Sequence, residues 1–512
     1  MPAGNRPASA AFLWSRDPYR EWLASAGGAP AGQEGSPGST TIPAAIDWAV
    51  SLGEATLADG SSPAAFPFDF FHASCSDWVV FGLNAAGQTG GQANLVAFTN
   101  LYVSGSRGNG QSGICEAPGT HTNPAVMFAL NTSTIGGAIA TWPVISLDGN
   151  KIAFVESGFH ATVFHVLNIA GNGSGTPTQA SAPVSGTLQS VMLSASAGDS
   201  FSHPYVNFSD DIAYVGTDDG VLHKITGVFL GTPVEVRTAP WPIRLSAKDR
   251  LTGPVVDFAT GNIFLAASNG KLYSVACSPG PPESCTVAHS ATHVGRNSIF
   301  DPPIVDSSDQ RAYWFSRDDG AGVPVLVQTD TALLEQARAK LEVGTTTRHN
   351  ENIVRSGAFD DAFFSVGSGN LWVCGFTANP AGLRPGLYPT LLRFAVSGGT
   401  LTTTPNASLL ISTAKGDACS SVTEAFDGST DRFFVGTGER GIRGDNICTH
   451  GCMQSFTASG NAIVRQAVAP EGGLSSGIII DNEDTASAQS ANIYFATRAR
   501  EKAVKLTQAG LQ

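Results

Sequence analysis

One short pattern recurs along this chain. An apolar strand ends in Asp or Asn, a tight turn follows, then come a longer apolar strand, a Gly-containing turn and a third strand. The clearest copy runs from Gly253 to Cys277 as GPVVD, FATG, NIFLAAS, NG, KLYSVAC, and a second begins at His203 as HPYVN, FSDD, IAYVGTD, DG, VLHKITGVF. Further copies begin at Trp142, Pro302, Ser356, Thr423 and Gly477, and a looser first one is carried by DWVVFGL, ANLVAFTNLY and AVMFALNT. Units of about 50–65 residues made of a few alternating strands cannot bury both faces alone and must stack. Closing the stack into a ring removes exposed sheet edges. The expected fold is therefore all-β, a β-propeller of four-stranded antiparallel blades, eight by this count with seven as the alternative. The last copy stops after its third strand. The segment IDWAVSLG at 46–53 is the candidate for its missing outer strand. Residues 1–44, rich in Ala, Gly, Pro and Ser, read as a disordered leader, and 45–512 as a single propeller domain. TALLEQARAKLEV at 331–343 has helical spacing and reads as a helix between the fifth and sixth units.

Composition narrows the partners. Charged residues are 14% of the chain, against roughly 25% in an average soluble protein. The net charge of −13 disfavours nucleic acid and anionic membrane surfaces, both of which are met with Lys and Arg. No apolar run is long enough to span a bilayer. The expected partner is a polar small molecule or glycan, and the expected state a monomer. The cysteines are even in number: Cys75, Cys115, Cys277, Cys285, Cys374, Cys419, Cys448 and Cys452. Pairing by order along the chain gives 75–115, 277–285, 374–419 and 448–452, as in a secreted or periplasmic protein. The N-terminus carries no apolar core that would serve as a signal peptide.

The copies HPYVNFSDDIAYVGTDDGVLHKI and GPVVDFATGNIFLAASNGKLYSV resemble the repeat of quinoprotein-type eight-bladed propellers. From about residue 46 onward the chain is similar to a group of secreted bacterial propellers that share a pattern like DWAVSLG…FHASCSDWVVF and NLYVSG…GIC. The resemblance implies the fold and no particular activity. The vicinal cysteine pair of the quinone dehydrogenases is absent, as is a Cys-x-x-Cys-His haem attachment. Neither pyrroloquinoline quinone nor haem is expected.

In a propeller, the residues just before each innermost strand ring one mouth of the central channel, where loops from every blade converge. Those positions supply Trp142, His203, Asp301, Arg355 and Glu424, joined by Arg348, His349 and Glu351 in the loop before the sixth unit. Trp142, Arg355, Arg348 and Glu351 are the candidate ligand-binding groups. His203 and His349 are candidate bases, or two ligands of a divalent metal whose third ligand the sequence does not identify. Asp301 and Glu424 are candidate acids, and with Glu351 could pair as in glycoside hydrolysis. Two functions follow: a binding propeller using the funnel, or a hydrolase or lyase acting there. Two features read as structural. Asn207, Asp257, Asp306, Asp360, Asp427 and Asp481 repeat at one unit position as turn caps rather than calcium ligands. Trp241 and Trp314 read as packing between blades.

Overall fold

The computed structural model of the protein describes residues 42–507, except 44–45, 106–111, 159–160, 195–198, 279, 281, 292, 345–351, 427–428, 439–450, 471–472, 483, 485–486, 488 and 499. These residues form eight antiparallel blades in a ring with almost no helix. The innermost strands are Ala64–Phe66, Val144–Ile145, Tyr205–Asn207, Val255–Val256, Ile304–Asp306, Ala358–Phe359, Thr423–Phe426 and Ile479–Ile480, which we number blades 1 to 8. Second strands are buried on both faces because each blade stacks on its neighbours. Trp78–Gly82, Ile263–Ala266 and Asn492–Thr497 show no exposed residue. Outermost strands meet solvent, as Ser284–His289 does along nearly its whole length. The two tryptophans expected between blades lie there. Trp241 packs with Leu222 of blade 3 and Leu265 of blade 4, and Trp314 with Phe264 of blade 4 and Val305 of blade 5.

The ring closes as the unfinished last unit required. Trp48–Ser51 pairs antiparallel with the third strand of blade 8, Trp48 opposite Lys505 and Ser51 opposite Lys502. Trp48 is buried among Phe98 and Tyr494, and its indole N–H donates to the Leu101 carbonyl at 3.1 Å. One strand therefore completes blade 8 and fastens it to blade 1. Burying that single indole contributes about 3 kcal/mol. Behind it Asp47 accepts from the Thr507 backbone N–H. Just before this strand, Ile42–Pro43 add a parallel fifth strand to the outer edge of blade 7.

Two local expectations fail. TALLEQARAKLEV is not a helix. Glu335–Lys340 is the outer strand of blade 5, paired with Val325–Thr329. Ala337 and Ala339 face inward while Glu335, Gln336 and Lys340 face water, a period of two that helix-forming composition concealed. An edge position lets the sheet ladder override propensity, and charged residues suit that edge. Conversely DAFFSV, which follows Asp360 where the repeat pattern places a second strand, is the short helix Asp361–Val366. Asp360 caps its start by accepting from the Phe363 N–H, Gly367 ends it at φ 72°, and Phe363 and Phe364 anchor it. The second strand of blade 6 is the following Ser368–Ala378.

Three disulfides join Cys75–Cys115, Cys277–Cys285 and Cys374–Cys419, matching the pairing by order. The fourth pair involves Cys448, which lies outside the described residues. No helix among the described residues is long and apolar enough to cross a membrane.

Candidate functional site at the channel mouth

Because neighbouring strands run antiparallel, the loops that lead into each innermost strand share one end of the ring with the loops joining second and third strands. Aligning the blades on that end exposes a rule. Three residues before the innermost strand stand Ser61, Thr141, Ser202, Thr252, Asp301, Arg355, Ser420 and Ser476 in blades 1 to 8. Six are hydroxyls. In four blades the hydroxyl accepts a backbone N–H from the end of the second strand: Gly216 to Ser202, Ala266 to Thr252, Gly436 to Ser420 and Ala496 to Ser476, all at 2.9–3.0 Å. Blades 5 and 6 break the rule with a carboxylate and a guanidinium.

Those two exceptions bond to each other. Arg355 Nη1 donates to Asp301 Oδ1 at 2.8 Å, and the Ser356 N–H donates to Asp301 Oδ2 at 2.7 Å. The other arm of Arg355 reaches Asp59 at 2.9 Å, and Arg498 stands 3.6 Å from the same carboxylate. Asp59 belongs to the loop entering blade 1, which is not a neighbour of blade 6, so the Arg355–Asp59 pair spans the mouth. Burial alone would push Arg355 down, but Asp301 and then Asp59 outweigh it and hold the guanidinium above its ordinary value. Gly60 makes room for it. A Cβ there would fall 2.2 Å from Arg355 Nη1, at a φ of +81° that favours glycine.

Trp142 and His203 also meet, one residue closer to their strands in blades 2 and 3. Their rings stack with centroids 3.1 Å apart and 7° between planes, and the Trp142 N–H donates to His203 Nδ1 at 3.1 Å. An accepting Nδ1 leaves the imidazole proton on Nε2, so the nitrogen facing Trp142 is already engaged and does not serve as a base. His203 is 6% exposed and Trp142 9%, so neither is the solvated loop side chain that its position in a connecting segment suggested.

Glu424 does not belong to this mouth. It is the second residue of the strand Thr423–Phe426, and its side chain bonds Asp431, at the start of the next strand. Burial raises the Asp431 carboxyl to about 6, with Asp360 and Asp361 adding repulsion. Spacing along the chain missed this because Glu424 lies inside the strand, past the point where the loop ends. Arg348, His349 and Glu351 lie outside the described residues.

The recurring Asp and Asn residues act as turn caps. Asn207 accepts from the Ser209 N–H, Asp257 from Ala259, Asp306 from Ser308, and Asp481 from Asn482, while Asp427 lies outside the described residues. Two further histidines are buried inside blades. His165 bonds Glu156 at 2.9 Å and His223 bonds Glu235 at 2.6 Å. Glu156 also accepts from Ser133, Thr134, Ile135 and Gly137, which pins the loop between blades 1 and 2. Among the described residues Cys277, Glu283 and Cys285 are grouped closely enough for a metal, yet the two sulfurs form a disulfide and Glu283 pairs with Lys224 at 3.0 Å. A disulfide sulfur is not a thiolate ligand.

Sequence reasoning missed Asp59, Arg498, Phe300, Arg250 and Arg317. A signal existed for two of them, since Arg317 and Arg498 each directly follow a second strand. Asp59 had none, because its contact crosses the ring.

No protein-family model and no curated protein matches the chain. Solved structures do, at the level of fold. Sqt1 of Saccharomyces cerevisiae superposes with a TM-score of 0.53 at 8% identity, over 91% of this chain and 99% of that one. A protein from Lactobacillus plantarum gives 0.41 at 10% identity over 78% and 98%, and the WD40 repeats of RRP9 give 0.41 at 9% over 91% and 99%. The chain is similar to these in architecture alone.

Proposed function

We propose that this protein is an extracellular binding propeller that takes a polar ligand, of glycan type or similar size, at the channel mouth. The break in the hydroxyl rule at Asp301 and Arg355 carries the reading. Those are the two positions where the repeat replaces a hydroxyl with a charged side chain, and their ion pair reaches across the ring to Asp59. The stacked Trp142–His203 pair packs at the same end and stiffens the loops there. Three disulfides suit an oxidising compartment, in keeping with an exported protein. The likeness to quinoprotein repeats enters only as shared architecture.

The hydrolase or lyase reading has less to work with. Asp301 is committed to Arg355 and the Ser356 N–H, Glu424 to Asp431, and His203 Nδ1 to the Trp142 N–H. A general acid or base needs a proton position free to exchange with substrate. Hydrogen exchange measured with and without a panel of neutral and acidic oligosaccharides tests the proposal. Protection on binding is expected in residues 199–204, 293–303 and 352–357. Protection confined to the outermost strands would overturn it.

A further inference from the structure

We infer that the ligand carries an oxyanion (a carboxylate, sulfate or phosphate group) held between Arg250 and Arg317. This rests on the channel mouth being the ligand site, and adds the chemistry of the group recognised there.

Three guanidinium groups surround one phenyl ring. The Cζ atoms of Arg250, Arg317 and Arg355 stand 5.4, 5.2 and 5.7 Å from the centroid of Phe300, and Arg250 is also 5.7 Å from the half-exposed Phe201. They arrive from separate blades: Arg250 from the loop into blade 4, Arg317 from the loop after the second strand of blade 5, Arg355 from the loop into blade 6. Arg355 is neutralised by Asp301 and Asp59. Arg250 and Arg317 are not. Among the described residues no acceptor takes a hydrogen bond from either side chain, and Arg317 Nε is buried without one. Burial lowers the Arg250 guanidinium, Asp218 pulls against that, and the charges of Arg355 and Arg317 lower it further. The three cations therefore feel one another.

Three like charges around one ring repel, and the electron-rich face of Phe300 offsets only part of that. The counter-charge acting on Arg250 is weak. Burial pushes the Asp218 carboxyl up to about 7, with Asp199 and Asp219 adding repulsion against the pull of Arg250. Near neutrality it is therefore only partly ionised. What remains are two partly buried, planar forks of N–H donors at the opening of a protein whose net charge is −13. A guanidinium fork matches a carboxylate, sulfate or phosphate with paired hydrogen bonds. A neutral hydroxyl would leave the excess charge in place.

Calorimetric titration of the full chain tests this with four probes: inorganic sulfate, inorganic phosphate, trigalacturonate, and its fully methyl-esterified neutral form. Oxyanion binding is expected, with the ester at least about tenfold weaker than the acid, the equivalent of one charge-assisted contact. Arg250→Gln and Arg317→Gln should each weaken the acid about tenfold with little change in melting temperature, and Arg338→Gln, on an outer edge, should not. Inorganic ions binding as tightly as the trisaccharide would point to a free oxyanion, and a strong preference for the trisaccharide to an acidic glycan. If acid and ester bind alike while residues 199–204 and 293–303 gain protection, the oxyanion is overturned and the channel-mouth site stands. Binding that survives both substitutions, with protection elsewhere, overturns both. Silence of all three oxyanion probes at millimolar concentration overturns the oxyanion.

Discussion

Blades 3, 4, 7 and 8 and blades 5 and 6 put the same repeat position to different use. Where the loop drops into the innermost strand, the second strand ends with a backbone N–H that needs an acceptor. In blades 3, 4, 7 and 8 a Ser or Thr hydroxyl supplies it within its own blade, at 2.9–3.0 Å. In blades 1 and 2 the hydroxyl is kept, as Ser61 and Thr141, but neither oxygen takes up that N–H. Blades 5 and 6 instead hold Asp301 and Arg355, whose bonds run sideways to each other and outward to Asp59. The hydroxyl device is local and serves one blade. The charged device ties blades 1, 5 and 6 together across the ring. In repeat proteins, a position that departs from its own internal pattern marks where the array has been put to use.

Removing Arg355 should give the largest effect. Arg355→Ala leaves Asp301, 3% exposed, as a buried carboxylate without its cation, so a loss of about 3–5 kcal/mol is expected in urea denaturation. A loss no greater than that of a single hydroxyl would erase the distinction between the two devices. Restoring the repeat sharpens it. In Asp301→Ser with Arg355→Ser both charges go together, and the double variant should fall short of the summed single losses by about 2 kcal/mol. Simple additivity would mean that the two residues act independently. Either result leaves Arg250 and Arg317 in place, so loss of ligand binding with retained stability would separate recognition from scaffold.

The hydroxyl blades should respond less. Ser202→Ala, Thr252→Ala and Ser476→Ala each strand one buried backbone N–H, at a cost of about 1–3 kcal/mol. His203→Ala belongs in this class, because its ring is buried against Trp142 and accepts that residue's N–H. Thermal melts of the four variants check this, and a neutral His203→Ala would show that the stack contributes nothing.

Which of these features the sequence made legible follows from how local each one is. The blade count came from repeats of alternating strands, and IDWAVSLG announced ring closure because nothing else needed that strand. The hydroxyl rule also lies in the sequence, but it shows only once the strand starts align the eight positions. Charged contacts were not readable. Asp59 and Arg355 lie nearly three hundred residues apart and meet only because the ring folds back on itself. Glu424 lies four residues past the mouth position Ser420, inside the innermost strand, where its side chain bonds Asp431. The misread helix at 331–343 has the same origin. Its residues are good helix formers, but pairing of Ala337 and Ala339 with Gln328 and Leu326 decided the outcome through contacts that sequence does not display.

The smallest effect is a dependence of ligand affinity on pH, and it separates the two uncompensated arginines. Burial raises the Asp218 carboxyl to about 7, and of the charged groups around it Arg250 favours the ionised form while Asp199 and Asp219 oppose it. Above that value Asp218 is an anion beside Arg250, where it competes with an incoming oxyanion and repels it. Below it the carboxyl is neutral and Arg250 keeps its full charge for the ligand. Affinity for an oxyanion should therefore rise as pH falls through about 7, by about fivefold, the scale of one partly screened charge contact. Binding near neutrality should take up a fraction of a proton, which titrations in buffers of different ionisation enthalpy would read. Asp218→Asn should hold the affinity at its low-pH level and flatten the profile. Arg317→Gln should weaken binding without changing the profile's midpoint, because Asp218 is linked to Arg250. A profile that keeps its shape in Asp218→Asn would assign the proton elsewhere and remove Asp218 from the site.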